Sequence, residues 1–256
     1  MRQLATGILL AATIASGVVA DTCLCDLEVL DMATSAVDDQ YLTCVNRMME
    51  NVTSKEGILS AELTADGSFR ESWHQAQRCN ITAPELNAYH KTALAFYMTW
   101  NSTFTRIFHT DTKALGPDTS VYTRYFPYKS LHFLLTNAMQ VLRSRQRGRC
   151  RTVYSQNMPQ RLRVNRGSTV RLGQFLQAST KLRSRDGLTI RTCYGVELPP
   201  SNCRSAWGNF LVPPFEQFKV VAVKKQPEGS RFYLESTGTY SNLECAYYRL
   251  PRNYEL

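Results

Sequence analysis

The fold depends most on a stretch near the middle of the chain, which reads Phe126-Pro-Tyr-Lys-Ser-Leu-His-Phe-Leu-Leu-Thr136 and continues as Asn137-Ala-Met-Gln-Val-Leu142. Apolar residues recur in it at intervals of three and four, which places their side chains on one face of an α-helix. A continuous apolar face of this kind predicts a helix packed in the core of a domain. The residues on that face are Leu131, Leu134, Leu135, Ala138, Val141 and Leu142.

Two further helical patterns precede this stretch. The first runs over 37–48, and Ser35 with Asp38 is a candidate N-terminal cap for it. The second starts near Thr82-Ala-Pro-Glu85, which has capping-box spacing and an early proline. The apolar face predicted for the second helix comprises Leu86, Tyr89, Ala93, Tyr97 and Trp100.

After Cys150 the chain changes to short runs rich in β-branched and aromatic residues, a pattern typical of strands. Helices followed by strands favour an α+β fold over a doubly wound one. No Gly-, Ser- or Pro-rich linker divides the chain, so we expect one domain over 21–256, mainly helical over about 21–149 and mainly β over about 150–250. The predicted strands lie at 152–154, 169–172, 188–190, 218–223 and 231–234.

The first twenty residues have the pattern of a secretory signal peptide. Arg2 gives a positive start, an apolar stretch follows at 8–15, and Val18-Val-Ala20 supplies small residues before a cleavage site. The apolar stretch is too short to span a bilayer. Residues 250–256 lack a hydrophobic tail for a lipid anchor. We therefore expect a secreted, extracellular protein that begins at Asp21 and has no membrane anchor.

Cysteines and glycosylation sequons agree with that compartment. The three sequons begin at Asn51, Asn80 and Asn101 and mark solvent-facing positions if they carry glycans. The number of cysteines is even, which suits a disulfide framework. The cysteines are Cys23, Cys25, Cys44, Cys79, Cys150, Cys193, Cys203 and Cys245.

Positive charge is concentrated in one segment. Between Arg143 and Arg191 there are thirteen Lys or Arg residues and a single acid, Asp186, in a chain of net charge +9. Such a segment is either a solvated basic face or a binding patch for a polyanion such as heparan sulfate. Nucleic acid is not expected, because no aromatic residues interleave the charges for base stacking. The candidate patch consists of Arg143, Arg145, Arg147, Arg149 and Arg151.

Generic catalytic motifs are missing from the sequence. It contains no P-loop, no Rossmann glycine pattern and no nucleophile elbow. No two histidines have metal-ligand spacing, so no metal site is expected. The histidines are His74, His90, His109 and His132.

Seven stretches in order resemble the vertebrate ecto-ADP-ribosyltransferase family, specific for arginine. They occur in the family's order, from one end of the expected mature chain nearly to the other. The resemblance implies an N-terminal helical part packed on two β-sheets that form an NAD cleft. The matching stretches are 30–44, Phe126–Thr136, Cys150–Tyr154, Val170–Phe175, Thr192–Gly195, Phe210–Phe218 and Glu244-Cys245.

The family pattern also implies two disulfides, Cys44–Cys245 and Cys150–Cys193. The remaining cysteines lie outside this pattern, and their pairing stays open. They are Cys23, Cys25, Cys79 and Cys203.

The resemblance further implies three catalytic sites. An Arg grips an NAD phosphate, a Ser orders the cleft, and a Glu-x-Glu pair supplies carboxylates that stabilise positive charge on ribose and position the acceptor guanidinium. Counted from the neighbouring motifs, the Arg position holds Ser155 and the Ser position holds Gln177. The Glu-x-Glu pair is replaced by Trp207 and Asn209. No family catalytic residue is therefore intact.

Three residues expected near the NAD are retained, namely Tyr154, Gln174 and Ser179. NAD is thus the substrate that the family implies, and its binding here is doubtful. The resulting hypothesis is a secreted family member that is catalytically impaired or inactive and acts by binding a protein partner. The alternative is an active ADP-ribosyltransferase or NAD glycohydrolase that uses other residues.

Overall fold

The structure is a computed structural model that describes residues 28–99, 102–146, 149–156, 162–184, 186–203, 208–226 and 229–249. Helices dominate the first half and strands the second, so the predicted α+β class is confirmed. No helix within these ranges is long and apolar enough to cross a membrane. The helices are α1 (Val45–Thr53), α2 (Ile58–Ala65), α3 (Gly67–Ala76), α4 (Ala88–Thr99), α5 (Ser102–Ala114), α6 (Thr119–Tyr125) and α7 (Lys129–Arg145).

The described strands belong to three sheets. They are β1 (Glu28–Val29), β2 (Arg151–Ser155), β3 (Leu162–Arg163), β4 (Thr169–Arg171), β5 (Leu176–Ala178), β6 (Gly187–Thr192), β7 (Val196–Glu197), β8 (Phe210–Val212), β9 (Glu216–Gln226) and β10 (Gly229–Thr239). The largest sheet has the order β2-β6-β10-β9-β4, and its β6–β10 pair is parallel. A second, antiparallel sheet has the order β5-β8-β7, and β1 pairs with β3.

Helix α7 forms the centre of the helical part, and its prediction is confirmed. Five of its six predicted core residues are buried, and Val141 is half-buried. The residue that precedes α7 makes no side-chain hydrogen bond that caps its first turn. Instead Glu62 of α2 accepts the N–H groups of Lys129 at 2.8 Å and Ser130 at 3.1 Å. A carboxylate at this end of a helix also complements the helix dipole.

The helix predicted over 37–48 begins late, because residues 36–44 follow an irregular path before α1. The predicted cap at Ser35 and Asp38 is wrong. Asp38 is fully buried and pairs with Arg171 of β4, with 2.5 Å between Oδ2 and Nη1. A buried carboxylate needs such a partner, and this requirement overrides the local helical periodicity.

Helix α4 also starts later than predicted, after 82–85. Asn87 caps it, since its Oδ1 accepts the N–H of His90 at 2.9 Å. The residues that were predicted to start the helix instead follow a short two-stranded ribbon, in which Ile81 pairs with Ser201. Of the predicted apolar face, Tyr89 is 38% exposed and Trp100 lies outside the described residues.

The two halves share their cores. One apolar cluster joins the helices to Phe175, Val196 and Leu211 around the small sheet, while a second cluster fills the space between the sheets. The hydroxyl of Tyr97 in α4 donates to the carbonyl of Phe175 at 2.9 Å. The small sheet is therefore fixed against the helical part, which sets the position of β5 and β8.

Both disulfides implied by the family pattern are present. Cys44–Cys245 joins the two ends of the described chain, and Cys150–Cys193 joins β2 to the end of β6. Crosslinks between distant residues stabilise a fold mainly by restricting the unfolded chain.

A third disulfide, Cys79–Cys203, settles a pairing that the sequence left open. It closes the ribbon in which residues 80–82 pair with 200–202, between α3 and the segment after β7. Cys23 and Cys25 lie outside the described residues, as does the predicted signal peptide.

Candidate functional site

The two larger sheets meet at one backbone bridge between Tyr154 and Ser179. Each residue donates its N–H to the carbonyl of the other at 2.8 Å. Tyr154 lies near the end of β2, and Ser179 directly follows β5. Pairing at this point brings the ends of two strands from different sheets to the same place.

A cavity of about 170 Å³ opens beside this bridge, and we call it the small cavity. Ser155 and Gln177, which the sequence placed at the family Arg and Ser positions, both line it. Tyr154 and Ser179 line it as well. Four residues singled out from distant motifs therefore converge on one cavity. The side chains at positions 155 and 177 are neutral.

A larger groove of about 720 Å³ lies between the helical part and the small sheet, and we call it the large groove. Asn209 and Gly208 line it, whereas Trp207 lies outside the described residues. Gly208 has φ +152°, and a Cβ there would lie 2.0 Å from the carbonyl oxygen of Ala178. Position 208 therefore requires glycine, which fixes where the neighbouring Asn209 stands.

A carboxylate that the sequence reading missed stands beside Asn209. The Nδ2 of Asn209 donates to Oε1 of Glu197 at 3.1 Å. Glu197 belongs to β7, on the other side of β8 from β5, and it lines the large groove with Glu85 of the helical part. No motif marks Glu197, and only the pairing of β7 with β8 brings it to Asn209.

Three cationic side chains also line the small cavity, and the sequence did not identify them as site residues. Lys181 and Arg183 follow β5, and Arg231 lies on β10. Ser179, Lys181 and Arg183 line the large groove too, so the two spaces adjoin. The charge count gave a signal for Lys181 and Arg183, since both belong to the basic segment, but it did not place them at the cleft.

Gln174 and Glu216 have other surroundings. Gln174 is buried, yet it is not among the described residues that line either space. Glu216 is fully buried and accepts the N–H groups of Cys193 at 2.7 Å and Tyr194 at 3.2 Å. Burial raises the pKa of Glu216. Its bonds hold the turn after β6, so Glu216 is structural and does not replace the missing pair.

The first residue of the predicted basic patch contacts the folded domain and is not fully exposed to solvent. Arg143 is half-buried, donates through Nε to the carbonyl of Cys193 at 2.9 Å and lies 4.1 Å from the ring centre of Tyr194. The other described members are exposed, and Arg147 lies outside the described residues. The exposed members are Arg145, Arg149 and Arg151.

The three sequons differ in their surroundings. Asn80 is exposed on the ribbon closed by Cys79–Cys203. Asn51 is half-buried in α1, and Asn101 lies outside the described residues. Glycosylation stays a prediction at all three positions. Within the described ranges, no group of three or more His, Cys, Asp or Glu side chains could hold a metal ion.

The profile of one protein family, NAD:arginine ADP-ribosyltransferase, matches residues 30–242. The chain belongs to this family. It is similar to chicken NAD(P)(+)–arginine ADP-ribosyltransferase 1, with 30% identity over 260 residues, covering 94% of this chain and 80% of the relative. Mouse GPI-linked NAD(P)(+)–arginine ADP-ribosyltransferase 1 is 30% identical over 240 residues, covering 85% and 73%.

The fold is that of the family as well. A mutant of the eukaryotic mono-ADP-ribosyltransferase ART2.2, crystallised with NADH, superposes with a TM-score of 0.67 and 26% identity, covering 86% of this chain and 99% of that one. The family and the fold that the sequence motifs implied are therefore confirmed.

Proposed function

We propose that this chain is a secreted ADP-ribosyltransferase relative that is impaired in transfer to arginine and acts by binding a protein partner. One observation carries the proposal: Ser155 and Gln177 line the small cavity, and Asn209 the adjoining groove, and all three side chains are neutral. The positions from which the family draws its phosphate anchor and its carboxylate thus offer no charge.

The chemistry explains why this matters. Departure of nicotinamide from NAD leaves a transition state with positive charge on the ribose, which a carboxylate stabilises. Loss of one preorganised electrostatic group lowers a rate by about 10²- to 10³-fold. Asn209 can donate or accept a hydrogen bond, but it has no negative charge to offset the developing cation. Losing the phosphate anchor as well lowers the rate further.

The direct test measures nicotinamide release from NAD by the purified protein, with agmatine as the acceptor. We expect release no faster than that in a buffer blank, and no ADP-ribosyl-agmatine. An active arginine ADP-ribosyltransferase under identical conditions serves as the positive control. Sustained, enzyme-dependent formation of ADP-ribosyl-agmatine would show that the proposal is wrong.

Glu197 favours a second candidate function, an NAD glycohydrolase or transferase that draws on other residues. Its Oε1 accepts a hydrogen bond from Asn209, so a carboxylate does stand next to the substituted position. If the natural chain releases nicotinamide, Glu197→Gln should abolish the release, while Glu85→Gln at the opposite wall of the groove should leave most of it. Equal effects of the two variants would exclude a specific role for Glu197.

Secretion is supported by the disulfides and by the names of the relatives, which include GPI-linked and ecto-enzymes. When the chain is expressed in mammalian cells, we expect protein in the culture medium whose N-terminus is Asp21. Treatment with a glycosidase specific for N-linked glycans should increase its mobility, and Asn80→Gln should remove part of that shift. Protein retained in the cells with residues 1–20 attached would contradict secretion.

The exposed arginines support a second role, the binding of a polyanion, in addition to the binding of a protein partner. Arg145, Arg149 and Arg151 flank the disulfide Cys150–Cys193, which holds this segment against the sheet. Clustered cations bind heparan sulfate in a manner that salt weakens. Replacing these three arginines by Ala should lower the salt needed for elution from heparin. If a variant that lacks three exposed cations elsewhere elutes at the same salt concentration, the weaker binding reflects the overall charge and not a specific patch.

A further inference from the structure

A third space lies along the C-terminal half of α7, and we call it the α7 groove. Its volume is about 390 Å³, and it shares none of its described lining residues with the small cavity or the large groove. Met139 and Phe215 line it and are buried, whereas Leu42 lines it and protrudes into solvent. A volume of this size lies within the range of about 300–1,000 Å³ that is typical of ligand pockets.

Leu42 is the most exposed large apolar side chain of the described residues, at 65%. A single exposed leucine indicates little by itself. This one, however, follows Tyr41, which is fully buried and has φ +56°, a left-handed conformation that is strained for tyrosine. Asp39 accepts the N–H of Tyr41 at 2.8 Å, and the disulfide Cys44–Cys245 holds the chain two residues after Leu42. A fixed backbone therefore presents Leu42, which reduces the entropy lost when a partner binds.

Another part of the wall of the α7 groove is cationic. Arg143 lines it, with its guanidinium 4.1 Å from the ring centre of Tyr194 and its Nε donating to the carbonyl of Cys193 at 2.9 Å. Among the residues that the structure describes, none accepts a hydrogen bond from the two Nη groups. A guanidinium oriented in this way can bind both oxygens of a carboxylate.

The charges around the α7 groove complement an acidic partner. None of the described residues that line it carries a carboxylate. The exposed Arg149 and Arg151 flank Cys150, which is bonded to Cys193 next to the cationic wall. On the side of Leu42, the carboxylate of Glu244 already accepts hydrogen bonds from the N–H and the hydroxyl of Thr43. Acidic side chains of a partner would therefore be attracted to the Arg143 side of the groove.

The combination of an apolar groove, a protruding leucine and an oriented arginine favours a protein segment over other occupants. A small molecule inside the groove would cover only the part of Leu42 that lines it, whereas a protein surface can cover the exposed part as well. A sulfated polysaccharide would pair with the arginines, but it has no apolar group to contact Met139 and Phe215. Apolar anchors and arginines in pockets are typical of the residues that carry most of the binding energy at interfaces.

We infer that the α7 groove docks a segment of a partner protein in which an apolar side chain lies next to Asp or Glu residues. The apolar side chain contacts Leu42, Met139 and Phe215, and a carboxylate pairs with Arg143. The inference rests on the proposed function, because it names the surface and the chemistry by which this relative binds its protein partner. The contact needs no residue of the small cavity or the large groove.

A defined library of short labelled peptides tests this surface. The central positions of the peptides vary among Leu, Phe and Ser, and the flanking positions vary among Asp, Ser and Lys. Binding to the full chain is measured by fluorescence polarisation. We expect saturable binding of peptides that combine Leu or Phe with Asp. Binding should be at least about tenfold weaker when Ser replaces the apolar residue or Lys replaces Asp.

Two variants at exposed positions of the α7 groove test whether the peptides bind there. Leu42→Asp replaces the apolar side chain by a charge that repels an acidic peptide, and Ser144→Trp should fill the groove from the side of α7. Each should weaken binding of the best peptide by at least about tenfold. Leu182→Asp changes an exposed leucine on the connection after β5 and is the matched control, for which we expect unchanged affinity. Thermal denaturation should show that all variants are folded.

Arg143→Glu tests the charge separately. This variant should lose affinity for Asp-flanked peptides and gain affinity for Lys-flanked peptides with the same central residues, a reversal that a damaged fold cannot produce. Arg166→Glu changes an exposed cation in the turn before β4 and is its matched control. We expect Arg166→Glu to keep the preference of the natural chain for Asp.

Four results would overturn the inference. The first is absence of saturable binding of any library peptide at millimolar concentration. The second is equal binding of acidic peptides with Leu or Ser at the centre, which would indicate a polyanion patch. The third is equal affinity of Leu42→Asp and Leu182→Asp. The fourth is self-association of the natural chain that Leu42→Asp abolishes, which would make the α7 groove a contact between two copies.

Formation of ADP-ribosyl-agmatine, measured in parallel, reports on the proposed impairment separately. Its formation by the natural chain would overturn impaired transfer and leave the docking role of the α7 groove. Absence of peptide binding would overturn that docking role and leave impaired transfer.

Discussion

Restoring the family residues should restore NAD cleavage, and one neighbour should be changed with them to avoid a new repulsion between carboxylates. The substitutions are Ser155→Arg, Gln177→Ser, Trp207→Glu and Asn209→Glu. In the structure, Nδ2 of Asn209 lies 3.1 Å from Oε1 of Glu197, so Asn209→Glu would place two carboxylates side by side. The structure therefore adds Glu197→Gln to the set.

The size of the repulsion follows from the distance between the two carboxylates. Two unit charges about 4 Å apart repel by about 1 kcal/mol in water and about 4 kcal/mol at the effective dielectric constant near a protein surface. Both side chains are exposed, so the lower figure applies. Because this repulsion is present in the folded protein whether or not NAD reacts, the four-substitution variant should be about 1 kcal/mol less stable than the five-substitution variant in denaturant titration.

The assay is nicotinamide release from NAD, measured with and without agmatine. The five-substitution variant should exceed the natural chain by at least about 10²-fold, the typical contribution of one electrostatic group. A matched control carries Asn209→Gln in place of Asn209→Glu, so it has the same size without the charge. Equal rates for the control and the Glu variant would refute the role of the carboxylate. If no variant exceeds the natural chain, substitution of these positions alone does not account for the proposed impairment.

The remaining predictions concern stability. Arg171→Met should destabilise the fold by about 3–5 kcal/mol in denaturant titration, because it strands the buried carboxylate of Asp38; a loss below about 1 kcal/mol would contradict this. Replacing both Cys79 and Cys203 by Ser should cost about 2–4 kcal/mol while leaving a folded protein. Burial lowers the pKa of His132 to about 3. The stability that depends on its neutral form is therefore present above about pH 6.5 and lost as pH falls toward 3, by about 2 kcal/mol at pH 5. His132→Phe should reduce that slope in thermal scans between pH 7 and pH 5.

Much of the fold and part of the site could be predicted from the sequence. The buried stripe of α7 and all five predicted strands were found, because each is encoded by local periodicity or by a run of β-branched and aromatic residues. The ordered motifs also identified Ser155, Gln177 and Ser179, and the structure brings these three to one cavity. The short strands β1, β3, β5, β7 and β8 were not predicted, because two or three residues carry little pattern; β4 is as short, but it lies within the four-residue run predicted at 169–172.

The sequence by itself determined the family, the α+β class and the neutral residues at the family's charged positions 155, 207 and 209, since each depends on residue identity or local order. Only the tertiary structure shows which charged side chains lie near those positions. Glu197 reaches Asn209 through the pairing of β7 with β8, and Lys181 and Arg183 reach the cavity because Arg231 ties their segment to the large sheet. Such contacts join residues far apart in the chain, so they depend on strand pairing and packing, which no local pattern records.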